Sequence, residues 1–107
     1  MLIERAELCS LIPHAGSMCL LDAVSSWNED EIVCSATSHR DLDNPLRCAE
    51  GLSSLQGIEY GAQAMAVHGG LLMRQQGEAI SEGYLAAVKN VALYVDWLHD
   101  IEAPLII

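Results

Sequence analysis

The sequence is poor in cations. Among its 107 residues only five are lysine or arginine, against fifteen aspartates and glutamates, and the formal net charge is −10. Proteins bind nucleic-acid backbones mainly through cationic side chains, so this balance argues against a nucleic-acid partner. An acidic protein partner would need a local cationic patch, for which Arg40 and Arg47 are the candidates.

Long apolar runs are also absent. No run approaches the ~20 residues that a helix needs to cross a bilayer. The amino terminus carries Glu4 and Glu7, where a signal peptide would be basic. We therefore expect a cytoplasmic protein with no membrane span. The length of 107 residues and the 51% hydrophobic content predict a single domain, residues 1–107, with one core.

Motifs for metals and paired thiols are missing as well. The cysteines contain no C-x-x-C pair, and the histidines show no H-x-x-x-H spacing. We expect no metal and no other cofactor. The four cysteines are expected to be free thiols, buried or half-buried, in a reducing compartment: Cys9, Cys19, Cys34 and Cys48.

The first half of the chain predicts a short helix and a strand pair. Residues Glu4 to Ile12 predict one or two helical turns that end before Pro13, because the residue before a proline avoids the helical region. Residues 18–27 and 31–38 predict two strands joined by the polar turn at 28–30. The polar segment 39–51 predicts a loop.

The second half predicts a long helix followed by strands. The helix is expected from Ser53, a candidate N-cap, to Gln76, with Gly77 beyond its end. Residues 84–98 predict a long strand, and residues 105–107 predict the start of another. This order is typical of an α+β fold in which the helix packs on one face of an antiparallel sheet.

Glu59 lies at the margin of the buried stripe of that helix. Gln63, one turn further on, is a candidate hydrogen-bond donor to it. Two readings of Glu59 remain open from this geometry, a boundary glutamate whose head reaches water and a functional carboxylate. The helix also contains glycine at positions 57, 61, 69 and 70, and each glycine in a helix interior costs about 1 kcal/mol relative to alanine. These glycines indicate that another part of the backbone approaches the helix closely.

Two stretches resemble a known family. The stretch LIPHAGSMCLLDAV, Leu11 to Val24, resembles the opening motif of the hotdog-fold 3-hydroxyacyl-acyl carrier protein dehydratases. The stretch GIEYGAQAMAVHGGLL, Gly57 to Leu72, resembles their helix, which carries the acidic catalytic residue. The two stretches resemble in particular the predicted dehydratases of aryl polyene lipid clusters.

This resemblance implies an α+β hotdog fold, in which an antiparallel sheet wraps a long central helix. Such proteins are usually dimers, and the dimer interface would hold a tunnel for the acyl-pantetheine chain. The resemblance covers only the first strands and the helix, so the last strands are expected to be missing. The uncovered part of the helix is then expected to face a partner chain, in a homo- or hetero-oligomer.

The resemblance also implies site residues. Glu59 aligns with the active-site acid and Gln63 with a glutamine of the same motif. We expect Glu59 and His14 to be catalytic, and Gln63, Tyr60 and Arg47 to bind the substrate.

One family feature is missing from this sequence. The usual catalytic histidine lies in a G-H-F-P element, and the corresponding region here is Asn44 to Arg47. Dehydration needs a base as well as an acid. His14 is our prediction for the base, His39 is an alternative, and a third alternative is that neither serves.

Three functions follow from these observations. The first is dehydration of a 3-hydroxyacyl thioester on acyl carrier protein, in fatty acid or aryl polyene synthesis. The second is a non-catalytic hotdog subunit that completes a heteromeric dehydratase, which the missing histidine favours. The third is an acyl thioesterase, in which a helix carboxylate activates water without a histidine at the loop position.

Overall fold

A computed structural model describes residues 3–12, 18–75 and 94–107. These residues form two α-helices and four short strands, in the order β1 (Ile3–Glu4), α1 (Arg5–Cys9), β2 (Ala23–Trp27), β3 (Ile32–Ala36), α2 (Gly57–Gln75) and β4 (Leu105–Ile106). The strands make one antiparallel sheet in the order β1-β2-β3-β4. The predicted α+β class is confirmed.

The predicted hairpin is present as β2 and β3. Its turn is organised by Asn28, whose side-chain oxygen accepts hydrogen bonds from the backbone N–H groups of Asp30 and Glu31. An asparagine that bonds the backbone two and three residues ahead stabilises a turn. The register between the strands shifts between Val24 and Ser26, which marks a bulge.

The core lies between α2 and the sheet. Tyr60, Ala64, Val67 and Leu71 recur at helical spacing and form the buried face of α2. The sheet contributes Val24 and the pair Cys34 and Ala36, which stand on one face of β3 because they are two residues apart. The other large buried residues include Leu8, Leu11, Leu20, Leu21 and Leu52.

The start of the long helix follows the prediction. The Ser53 side chain accepts a hydrogen bond from the backbone N–H of Leu55 at 3.2 Å, as an N-cap does, and a single 3-10 turn, Ser54–Gln56, leads into α2. The structure describes α2 as far as Gln75. The predicted end at Gln76 and Gly77 lies outside the described residues.

The long strand predicted at 84–98 is only partly within the described residues. Over 94–98 the prediction is wrong, because this segment makes a single isolated bridge, between Ser53 and Trp97, and no strand. The backbone N–H of Leu98 donates to the carbonyl oxygen of Leu52 at 2.7 Å. The rest of that prediction, residues 84–93, lies outside the described residues. The strand predicted near 105–107 is confirmed as β4.

Close backbone approach accounts for one helix glycine. A Cβ atom added at Gly70 would lie 3.3 Å from the Leu11 carbonyl oxygen, so the glycine lets α2 pass close to the chain after α1. At Gly57, Gly61 and Gly69 no described atom lies within 4 Å of such a Cβ. The expected close approach is therefore found at Gly70 and not, within the described residues, at the other three.

Across the described residues, no helix combines the length and the apolar character that crossing a membrane requires.

Candidate active site

Glu59 lies in the first turn of α2 and is half-buried. Its Oε1 atom accepts a hydrogen bond from Nε2 of Gln63 at 3.3 Å. Residues four apart on a helix lie on the same face, which brings these two side chains together. The predicted donation from Gln63 to Glu59 is confirmed.

Gln63 also joins the helix to a distant part of the chain. Its side chain is 1% exposed. Its Nε2 donates to the carbonyl oxygen of Met18 at 2.7 Å, and its Oε1 accepts from the backbone N–H of Leu20 at 2.9 Å. The amide therefore satisfies two main-chain groups of segment 18–20 and one carboxyl oxygen of Glu59. Since Met18 directly follows residues 13–17 of the opening motif, the two motifs quoted above meet at Gln63.

Tyr60 lies beside Glu59 in sequence but points into the core. Its side chain is 1% exposed, and its hydroxyl lies 2.7 Å from Oγ of Ser38 and 3.1 Å from Nδ2 of Asn44. Ser38 donates its own proton to the Leu20 carbonyl oxygen, so the Tyr60 hydroxyl donates to Ser38 and accepts from Asn44. Burial raises the pKa of Tyr60, although its hydrogen bonding with Ser38 and Asn44 acts in the opposite direction.

Asn44 holds the loop that follows β3. Its Nδ2 donates to the Ser38 carbonyl oxygen at 2.7 Å as well as to Tyr60, and its Oδ1 accepts from the backbone N–H of Leu46 at 2.8 Å. All of its hydrogen-bonding atoms are used inside the protein. Asn44, Ser38 and Tyr60 form a buried polar network, named here the Tyr60 network, that ties the loop to α2.

Arg47 is half-buried at the end of the same loop, where Nη1 donates to the Asp41 carbonyl oxygen at 3.4 Å. Arg40 is exposed, and its Nη1 donates to the Glu102 carbonyl oxygen at 3.3 Å. Both arginines thus donate hydrogen bonds to main-chain carbonyl oxygens, and among the described residues neither forms an ion pair.

A disulfide joins Cys9, at the end of α1, to Cys19, with Cα atoms 6.1 Å apart. Cys34 is buried and free, and Cys48 is exposed and free. The expectation of four free thiols is therefore wrong for Cys9 and Cys19. The fold brings α1 beside the segment that leads into β2, and a separation of ten residues without a C-x-x-C motif gave no sign of it.

Comparison with known proteins decides the family. The family model ApeP-like, described as ApeP dehydratase, matches residues 6–106, which is almost the whole chain. The chain belongs to the ApeP-like dehydratase family. Neither a curated protein nor a solved structure gave a match. The family match and the architecture, one long helix on an antiparallel sheet, together support the hotdog assignment and a dehydratase-like function.

A dehydratase needs a base as well as an acid, and histidine is the usual candidate for the base. His14 lies outside the described residues. His39, the alternative, is 0% exposed, and its Nε2 donates to the Ile101 carbonyl oxygen at 2.8 Å. His68 bonds the carbonyl oxygen of Asn28, and Nδ1 of His99 accepts from the backbone N–H of Leu52. Each histidine that the structure describes thus has one ring nitrogen bonded to a main-chain group, and Nδ1 of His39 is buried with no partner among the described residues.

A cavity of about 160 Å³ is lined in part by two members of the Tyr60 network, Ser38 and Asn44. Its lining does not include Glu59 or Gln63 and consists of Arg5, Cys19, Asp22, Ser38, Asp41, Asp43, Asn44 and Pro45. Sequence reasoning missed Ser38 and Asn44. A serine and an asparagine in a polar loop give no signal that their side chains are buried partners of a helix tyrosine.

Proposed function

We propose that this ApeP-like chain removes water from a 3-hydroxyacyl thioester carried on acyl carrier protein, in fatty acid or aryl polyene synthesis. The supporting observation is the hydrogen bonding of Gln63, which links the carboxyl group of Glu59 to segment 18–20 of the opening motif. The family match supplies the reaction class. The substrate and the roles of individual residues are our proposal.

Glu59 is the proposed acid. Elimination requires a proton on the departing β-hydroxyl group, and a carboxylic acid within hydrogen-bond reach supplies it. Oε1 of Glu59 already accepts from Gln63, so the transferable proton belongs on Oε2. Gln63 is therefore the proposed positioning residue that fixes which oxygen faces the substrate hydroxyl.

His14 is the proposed base that removes the α-proton. It stands four residues before Met18 in the sequence, and Met18 is bonded to Gln63. A neutral imidazole ordinarily has a pKa near 6.5, which suits proton abstraction near neutral pH. The water that leaves takes one proton from Glu59, and the proton taken by His14 returns to Glu59 through solvent to close the cycle.

Arg47 and Tyr60 are proposed to contribute to substrate binding in different ways. Arg47, together with Arg40, offers positive charge to an acidic acyl carrier protein, which the net charge of −10 would otherwise repel. Tyr60 acts indirectly, because its hydroxyl is used within the Tyr60 network and supports the loop that carries Arg47.

The test is dehydration of 3-hydroxyacyl thioesters on acyl carrier protein, followed by the ultraviolet absorbance of the conjugated enoyl product. We expect Glu59→Gln and His14→Ala to lower kcat by about 100-fold or more, since general acid and base groups each contribute at that scale. Glu29→Gln, at an exposed glutamate in the hairpin turn, is the matched control and should keep the wild-type rate. Equal rates for Glu59→Gln and wild type would exclude Glu59 as the acid.

The alternative of a non-catalytic subunit in a heteromeric dehydratase has one observation in its favour, the main-chain engagement of His39, His68 and His99. Purification of this chain alone separates the two cases. An active homo-oligomer supports the enzyme. A chain that gains activity only when mixed with a second hotdog subunit supports the partner role, and release of free thiol without enoyl product would indicate a thioesterase.

A further inference from the structure

The Cys9–Cys19 disulfide lies directly next to the candidate site. The residues on either side of Cys19, Met18 and Leu20, are the two whose main-chain groups bond the Gln63 side chain. Gln63 in turn donates to Glu59. The disulfide is therefore connected to the carboxyl group proposed as the acid through the backbone on either side of Cys19 and the hydrogen bonds of Gln63.

The disulfide also anchors this segment to a separate element. Cys9 is the last residue of α1, and α1 is held to α2 by the ion pair of Glu7 with Arg74, at 3.2 Å. Segment 18–20 is thus fixed on one side by the covalent link to α1 and on the other by Gln63. If the link is cut, the described hydrogen bonds from other side chains to this segment are those of Gln63 and the bond from Ser38 to the Leu20 carbonyl oxygen, beside the core packing of Leu20.

We propose that the Cys9–Cys19 pair is a reversible redox site, opened by a dithiol reductant, and that its opening loosens segment 18–20 from Gln63 and lowers the activity at Glu59. The effect on activity rests on the proposed function, whereas the redox site and its coupling to Gln63 do not. Disulfides in reducing compartments are usually transient and act in catalysis or redox sensing, so a cytoplasmic location is consistent with such a site.

The chemistry balances as ordinary thiol–disulfide exchange. A thiolate of the reductant attacks Sγ of Cys9, the half-buried and therefore more accessible sulfur, and Cys19 leaves as a thiolate that takes up a proton. The second thiol of the reductant then attacks its own mixed disulfide and releases Cys9. Two electrons and two protons pass to the protein, and the reductant becomes a disulfide.

After reduction, the Cys19 thiol has a hydrogen-bond acceptor nearby. Sγ of Cys19 lies 4.0 Å from the Leu21 carbonyl oxygen, which can accept the S–H proton after reduction. Cys19 also lines the cavity described above, which gives its side chain room to move. The strand pairing is made by main-chain hydrogen bonds, and the core contains many apolar residues besides Cys19, so the reduced chain is expected to remain folded.

The experiment uses the whole chain, oxidised and then reduced with dithiothreitol. Alkylation and mass spectrometry before and after reduction determine which cysteines are paired. Hydrogen exchange at the Leu20 amide, which bonds Gln63, reports the coupling, and dehydration of a 3-hydroxyacyl thioester reports activity. The matched variants are Cys9→Ser/Cys19→Ser, which mimics the reduced form, and Cys48→Ser, which removes an exposed free thiol.

We expect reduction to speed Leu20 exchange by about tenfold and to lower kcat/KM by a similar factor, as loss of a local constraint allows more frequent opening. The double serine variant should show these values in both buffers, and Cys48→Ser should respond like wild type. Should the double variant fail to fold, reduced wild-type protein still gives both measurements.

Four results are decisive. Alkylation of Cys9 and Cys19 without reduction overturns the redox site. If the Cys9–Cys19 disulfide is found but the Leu20 exchange rate is the same in the oxidised and reduced chains, the coupling to Gln63 is overturned. Faster exchange with an unchanged dehydration rate overturns the control of activity. Faster exchange in a chain that never dehydrates the substrate supports the redox site and its coupling, and overturns the proposed function instead.

Discussion

Gln63 places its side-chain amide between Glu59, one turn earlier on the same helix, and the backbone of segment 18–20. The bond to Glu59 is local, whereas the bonds to Met18 and Leu20 join residues 45 and 43 positions apart. One buried glutamine therefore orients the proposed acid and also fixes how the opening motif meets the helix.

Removing the Gln63 amide is expected to reduce both stability and activity. In Gln63→Ala, the Leu20 N–H loses its side-chain partner, and each buried polar group left unpaired costs about 1–3 kcal/mol. Gln63→Glu keeps an acceptor for Leu20 but loses both donations and sets a second carboxylate one turn from Glu59, which is unfavourable. Urea denaturation measures the free energy of unfolding, and the enoyl absorbance assay measures kcat.

Gln75→Ala is the control for Gln63, because Gln75 lies on the same helix and is exposed. Its free energy of unfolding should stay within about 0.5 kcal/mol of wild type. If Gln63→Ala were as stable and as active as Gln75→Ala, the amide would have no role in positioning Glu59.

The Tyr60 hydroxyl is expected to stabilise the fold. Tyr60→Phe leaves Asn44 and Ser38 without their shared partner and should lower the free energy of unfolding by about 1–3 kcal/mol. Tyr94→Phe, at a side chain that is 93% exposed, should change it by less than about 0.5 kcal/mol. Similar values for the two variants would contradict the network described for Tyr60.

Tyr60 also predicts a loss of stability at high pH. Burial raises the pKa of Tyr60 above its ordinary value of 10.0, so above that pH the unfolded chain loses this proton before the folded chain does. The contribution is therefore fully present below pH 10.0 and is lost as the pH rises further. Denaturation at a series of alkaline pH values should show this loss in wild type and a smaller one in Tyr60→Phe.

The two free cysteines are expected to react very differently. Burial raises the pKa of Cys34 from 9.0 to about 11, whereas Cys48 is exposed. Iodoacetamide at pH 8.5 should therefore modify Cys48 and leave Cys34 intact until denaturant is added, since the thiolate is the reactive form. Mass spectrometry of the alkylated peptides checks this, and equal labelling in the folded chain would contradict the burial of Cys34.

The contribution of Cys34 to stability is present below pH 9.0 and is lost as the pH rises towards 11.

Gly51 is expected to tolerate no side chain. Its φ is +123°, in the left-handed region that favours glycine, and an added Cβ would overlap the ring of His99. Gly51→Ala should therefore lower the free energy of unfolding by about 1–3 kcal/mol. Gly61→Ala, on an exposed part of α2, is the control and should raise it by up to about 1 kcal/mol, because alanine is the better helix former. Thermal unfolding followed by circular dichroism ranks the variants, and a Gly51→Ala protein as stable as wild type would contradict the prediction.

Local sequence signals predicted the elements that local interactions form. Asn28 and its polar neighbours marked the hairpin turn, and Ser53 marked the start of the long helix. The contact of Gln63 with Glu59 was also predictable, because helical periodicity places residues four apart together. The prediction of a strand over residues 94–98 was wrong. The apolar and polar residues alternate there as in a strand, but the segment makes only one isolated bridge, between Ser53 and Trp97.

Contacts between distant segments were not predictable from any local pattern. The Cys9–Cys19 disulfide depends on how α1 docks beside segment 18–20, and the bond of Tyr60 to Ser38 depends on where the loop after β3 folds back. Both are set by packing of the core. The family resemblance supplied the proposed role of Glu59, but a motif alone does not state which backbone groups hold a side chain in place.

Asn44 stands in the region where related dehydratases carry their catalytic histidine, yet here its amide is fully occupied in bonding Ser38, Tyr60 and Leu46. The substitution Asn44→His is therefore not expected to supply a catalytic base by itself. The new ring has fewer donors and acceptors than the amide it replaces, so the loop would have to reorganise around it. In this chain Asn44 holds the loop in place, so the base of the proposed dehydration is expected at another position.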